Sequence, residues 1–128
     1  MTSGVLVDTS VWVDHFRRRN EVLVDLLTLD LALTHPMIVT ELACGTPPAP
    51  RSRTLADIAT LPQTRQASLT EVRELIEREQ LFGLGCGLVD LALLASALLT
   101  PGAELWTKDK RLVQLAQRFR IAYEPARH

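Results

Sequence analysis

Two cysteines, Cys44 and Cys86, are all that this 128-residue sequence contains. That is too few for a disulfide framework or a Cys-rich zinc site, so a reducing cytoplasm is the expected compartment. Aromatic residues make up only 5%, which leaves few surfaces on which nucleic-acid bases could stack. No basic segment precedes the first apolar run at Gly4–Val7, so no signal peptide is expected. Neither charge sign dominates: 14 Lys and Arg face 15 Asp and Glu, a net charge of −1. The balance does not exclude a polyanionic partner, because neutralising four acids at one site would leave eleven against those fourteen cations. The one long run poor in charge is Leu81–Leu99, which carries Asp90 alone. It reaches membrane-spanning length. However, a central Asp costs roughly 2.5–3.5 kcal/mol there, and Gly83, Gly85 and Gly87 interrupt it, so a buried helix starting near Gly87 is expected instead. There are no internal repeats.

What is present is an ordinary globular composition, 47% hydrophobic and 23% charged, of a length that fits one domain over residues 1–128. Residues 4–8 read as a strand, with Thr9 and Ser10 offering caps for a helix to about Phe16. Leucines at helical spacing predict a second helix over Glu21–Leu29. Leu31–Thr34 is a short strand. Pro36 suits the first turn of a helix ending at Cys44, with Gly45 as its stop. A Pro-rich break at 46–53 and a weak helix over Arg53–Leu61 follow. Thr70 opens a firm helix, and Gly87–Leu99 is apolar nearly all round. Ala103–Trp106 is a strand, Thr107 caps a helix to about Phe119, and Ile121–Tyr123 is a last strand. Alternating strands and helices predict an α/β fold: a three-layer α/β/α sandwich around a mainly parallel sheet of four to five strands.

Asp8 is the awkward residue, a carboxylate between the apolar sets Val5–Val7 and Val11–Val13. Burying an unpaired charge is expensive. In open parallel sheets, sites form at the carboxyl ends of the strands. Connectivity places Asp8, Glu41 and Asp109 near that edge, and Asp90 joins them if the apolar helix starts there. Singly, each acid has an ordinary use in a helix first turn, an Asx turn or a solvated face. Together they repel unless some protonate or a divalent cation binds. All-oxygen ligation suits Mg²⁺, with Mn²⁺ as a substitute, and such a site suits phosphodiester hydrolysis. Lys108, Lys110 and Arg111 surround Asp109 and, with Arg17 and Arg18, are candidate contacts for a phosphate backbone. A helix starting at Thr107 would put Lys108 and Arg111 on one face.

VDTSVW, the Glu41 of VTELACG, the Asp90 of GLVDLALLASA and the Asp109 of TKDKRL, taken in order, resemble the acidic set of PIN domains, in particular the VapC-type ribonuclease toxins of toxin–antitoxin pairs. The resemblance spans essentially the whole chain. It implies a Mg²⁺-dependent endoribonuclease that acts on cellular RNA, forms a homodimer and is inhibited by a small cognate antitoxin. Asp8, Asp90 and Asp109 would bind metal, Glu41 would position water, and Thr9, Ser10 and Thr107 would support the site. Where the family often has Ser or Thr capping the helix of the third acid, this chain has Cys86-Gly87. The apolar face of Leu23, Leu26, Leu27 and Leu29, with the first and third helices, would form the antitoxin groove. The alternative is a non-catalytic acidic pocket, such as a phosphoacceptor receiver. Receivers keep adjacent acids after the first strand, whereas Thr9-Ser10 follows Asp8 here.

Overall fold

The structure, a computed structural model, describes residues 3–125. Three strands, β1 (Gly4–Val7), β2 (Ala32–Leu33) and β3 (Ala103–Trp106), form a parallel sheet in the order β2-β1-β3. Seven helices among the described residues flank it: α1 (Thr9–Arg17), α2 (Glu21–Thr28), α3 (Pro36–Cys44), α4 (Arg51–Ala59), α5 (Leu69–Glu79), α6 (Leu88–Leu98) and α7 (Lys110–Arg118). A central parallel strand is covered on both faces, which is why β1 reads as an unbroken apolar run; Val5, Leu6 and Val7 are fully buried.

The sheet has fewer strands than the four to five expected. Its edges continue only as single parallel bridges, Thr34 with Gln63 and Leu105 with Ala122. Ile121–Tyr123 is therefore not a strand of its own. Its two ladder bonds both involve Leu105, whose N–H donates to Ile121 O (2.7 Å) and whose carbonyl accepts from Tyr123 N–H (2.9 Å).

The connections decide where a site forms. From β1 the chain runs through α1 and α2 to β2 on one side, and from β3 through α7 to the Ala122 bridge on the other. The direction reverses between β1 and β3. A crevice at their carboxyl ends follows from that reversal, with Asp8 closing β1 and Thr107–Asp109 following β3.

Several local expectations shift by a residue or two because acids outcompete hydroxyls as caps. Asp8, not Thr9 or Ser10, is the N-cap of α1, and Asp109, not Thr107, caps α7. Lys108 consequently lies outside α7 and shares no helical face with Arg111. The α5 helix opens at Leu69 because Ser68 and Glu71 form a reciprocal capping box. The apolar helix α6 starts after Gly87, as expected, and buries Leu91 to Ala97. Among the described residues, no helix is long and apolar enough to cross a membrane. The leucine face of α2 also differs: Leu23 and Leu26 are buried in the protein's own core and only Leu29 is well exposed.

His35 ties α3 to α6. Its Nδ1 accepts from Met37 N–H (3.0 Å) as the N-cap of α3, so its proton sits on Nε2, 3.1 Å from Ser96 Oγ. Burial lowers its pKa below the usual 6.5. Protonation would place an N–H against the Met37 N–H. The unfolded chain therefore binds this proton more readily, and the stability that neutral His35 contributes is complete above 6.5 and lost as pH falls through the lowered folded value. Melting temperatures should fall below pH 6.5, with a slope of at most about 1.4 kcal/mol per pH unit from this group. His15 shifts the same way, so the comparison with His35→Asn isolates His35. An Asn variant with the wild-type slope would show that His35 is not the sensor.

Candidate active site

Asp8 leaves β1 at the switch point and is buried. Its backbone N–H continues the sheet to Trp106 O (2.9 Å). One carboxylate oxygen, Oδ2, accepts from Ser10 Oγ–H (2.7 Å), Thr107 Oγ1–H (2.8 Å) and, more weakly, Ser10 N–H (3.4 Å). The two hydroxyls are themselves held from the β3–α7 loop: Lys108 N–H donates to Ser10 Oγ (3.0 Å) and Asp109 N–H to Thr107 Oγ1 (3.1 Å). Charge-assisted bonds of this kind, together with the N-terminus of α1, offset much of the cost of burying the charge. Asp8 is thus stabilised by the protein itself, which sequence alone had left to a metal.

The other acids are arranged on the same plan. Asp109 Oδ1 accepts from Arg111 N–H (2.9 Å) and Leu112 N–H (3.1 Å) at the head of α7. Glu41, on α3, accepts from Thr9 Oγ1–H through Oε1 (2.7 Å). In all three, one carboxylate oxygen is held by protein donors and the second takes no hydrogen bond among the described residues. Asp90 sits in the first turn of α6, partly buried. Its pKa is raised first by burial and then by the negative fields of Asp8, Asp109 and Glu41, against a lowering hydrogen bond from the Gly87 backbone. All four expected acids therefore lie within electrostatic reach of Asp90 at the same end of the sheet. They do not close on a point: among the described residues no three His, Cys, Asp or Glu side chains are arranged to hold a metal ion as they stand. The donor set nonetheless fits a hard divalent cation, since it is all oxygen, strongly negative and raises the pKa of its own member Asp90.

The cations divide into two groups. Lys110 and Arg111 open α7 beside Asp109, both exposed. The Arg111 side chain lies against Gly85, with Nη1 3.5 Å from its carbonyl. Lys108, at the same mouth, is committed to Asp14 of α1 through a half-exposed 3.0 Å ion pair, which lowers the Asp14 pKa. Arg17 ends α1 and lines one cleft with Glu41, and the exposed Arg18 is the C-cap of that helix.

Sequence reasoning missed a cleft of about 530 Å³ between α1 and α3, lined by Thr9, Val13, Phe16, Arg17, Glu41 and the Pro47–Pro48 turn, among others. Its signal was the Pro-rich break, whose packing against α1 is tertiary and leaves no local pattern. Cys86 is partly buried; burial first, and then the fields of Asp90 and Asp109, raise its thiol pKa. That places the loop before α6 at the site as well.

Comparison with known proteins agrees with this geometry. Residues 5–118 match the PIN domain family. Ribonuclease VapC32 of Mycobacterium tuberculosis, in strains CDC 1551 / Oshkosh and ATCC 25618 / H37Rv, is 45% identical to this chain over 108 residues, 84% of this chain and 86% of the relative.

Proposed function

Since this chain belongs to the PIN-domain family and is of the VapC type, we propose that it is a divalent-metal-dependent endoribonuclease toxin acting on cellular RNA in the cytoplasm. The single observation that carries this proposal is Asp90: a partly buried carboxyl in the first turn of α6 whose pKa is raised first by burial and then by three other carboxylates at a sheet switch point. Asp8, Asp90 and Asp109 would hold Mg²⁺ or Mn²⁺, each of Asp8 and Asp109 having one oxygen already fixed by protein donors. When bound, the ion polarises a phosphoryl oxygen and lowers the pKa of a water. Glu41, an exposed acid on α3, orients the attacking water and takes its proton, with Thr9 fixing its carboxylate. Thr107 and Ser10 hold Asp8 in place, so they act through it. Lys110 and Arg111 offset the repulsion of the RNA backbone at the mouth of the site. Arg17 and Arg18 extend that basic rim past Glu41, and Lys108 joins it when released from Asp14.

The cleft between α1 and α3 suits the antitoxin. It has apolar walls at Val13, Phe16 and Leu42, it runs up to Glu41, and Arg17 offers a counter-charge to an acidic segment. This replaces the leucine face of α2 as the expected groove. A homodimer is the proposed assembly. RNA ends sequenced after induced expression test the function. Wild type should produce new ends at defined sites, Asp8→Asn none, and co-expression of a small neighbouring protein should remove them. No new ends with wild type would sink the nuclease assignment.

A further inference from the structure

The loop from Leu81 to Gly87 has an unusual surface. Phe82 is 62% exposed, Leu84 45% and Leu88, the first residue of α6, 55%. Three of the six exposed large hydrophobic side chains among the described residues thus lie within seven residues. Phe82 is the only exposed aromatic among the described residues; the two tryptophans are buried and the remaining rings half-buried. Apolar groups of this size are normally turned inward, and Leu81 next door is almost completely buried. The loop is held open by its backbone. Gly83 and Gly85 have φ of +72° and +86°, values that side-chain-bearing residues rarely adopt, and a Cβ on Gly85 would lie 2.7 Å from Arg111 Nη1.

Its position matters more than its exposure. Cys86, inside the same stretch, feels the fields of Asp90, Asp109 and Arg111. Phe82 is four residues from Cys86, a span of at most about 14 Å. Leu88 is two residues from Asp90. An exposed ring and two aliphatic neighbours therefore lie on the loop that leads into the first turn of α6 and Asp90, and the Arg111 guanidinium, two residues from Asp109, lies against the same loop. Rings bind any unpaired base face, and a cation beside them holds the phosphate that joins it to its neighbour. A second copy of this chain would have no use for the cation or for adjacency to the carboxylates.

We propose that Phe82, flanked by Leu84 and Leu88, is a stacking shelf for an unpaired base of single-stranded RNA next to the scissile position, with Arg111 on the adjoining phosphate. This rests on the ribonuclease assignment above. Duplex RNA, whose bases are already stacked, would gain nothing from the shelf.

Binding of short single-stranded oligoribonucleotides to the full chain, on an Asp8→Asn background that does not cut, tests the proposal. Phe82→Ala should weaken binding by about 5- to 100-fold, and in the cutting protein it should raise KM more than it lowers kcat. Phe82→Trp should bind as wild type does, with its added indole emission quenched by RNA. A single abasic ribose, moved along the oligonucleotide, should find one position where wild type binds as weakly as Phe82→Ala. Blunt duplex should bind both alike. Wild-type affinity in Phe82→Ala, with wild-type protein cutting RNA normally, would overturn the shelf and leave the nuclease standing. A wild type that neither binds nor cuts RNA overturns both. If Phe82→Ala instead converts a dimer to monomers and loses RNA only on that account, the patch is a subunit contact and the proposal fails.

Discussion

In the absence of metal, Asp90→Asn is expected to melt at a higher temperature than wild type at neutral pH, while RNA cleavage falls by on the order of 10³-fold or more. The two effects have one origin. Asp90 occupies the first turn of α6, where the helix dipole and the Gly87 backbone favour a negative charge. Burial and three neighbouring carboxylates outweigh both, and its pKa rises above the usual 3.8. A carboxyl with a raised folded pKa contributes stability that is complete below the unfolded value and lost as pH climbs through the folded one. Ionising Asp90 is therefore a net cost to the fold. Asn has nearly the same shape and no charge, so it removes that cost together with the proposed metal ligand. Thermal melts in chelator at several pH values check this: the gap between variant and wild type should narrow as pH approaches 3.8. An Asn variant that melts lower than wild type at neutral pH would make Asp90 a structural residue.

The parts of this molecule that were legible in advance are those fixed by connectivity. A parallel sheet places every strand end on one edge, so Asp8 after β1 and Asp109 after β3 could be brought together without knowing a distance. Asp90 followed once the start of α6 was read from Gly87. The apolar run of β1 and the all-round apolar α6 reported their own burial. What stayed hidden has equally physical causes. Asp8 and Asp109 are helix caps as well as candidate site acids, and a single letter does not reveal that a residue caps a helix. The Lys108–Asp14 ion pair joins residues far apart in sequence, and no spacing rule predicts it. Leu23 and Leu26 of α2 face inward, so that helix offers no open leucine face, and the cleft lies instead between α1 and α3, where the Pro47–Pro48 turn lines one wall. Sheet edges one residue wide carry no periodicity, so the outer strands were overcounted.

Chelating divalent cations is expected to stop RNA cleavage outright and to lower the melting temperature of wild type, while leaving that of Asp90→Asn nearly unchanged. The stability effect follows from mass action. A cation that binds only the folded site adds about 2.7 kcal/mol at a concentration 100 times its Kd. For a chain of this length that amounts to a shift on the order of 10 °C. Asp8, Glu41 and Asp109 are each anchored through one oxygen to hydroxyls or backbone N–H groups, and no three acids among the described residues close on a single point. A cation held by these acids would draw Asp90 and the free oxygens inward. The protein donors restrict that movement to side-chain rotation and spare the backbone. Titrating Mg²⁺ or Mn²⁺ into EDTA-treated protein should restore melting temperature and cleavage over the same concentration range, since one site governs both. Ca²⁺, larger and suited to more ligands, should restore the melting temperature more fully than the activity. Cleavage that persists undiminished in EDTA would rule out the metal-assisted mechanism, whatever the melts show. A melting temperature that responds equally in wild type and Asp90→Asn would place the cation somewhere other than at these four acids.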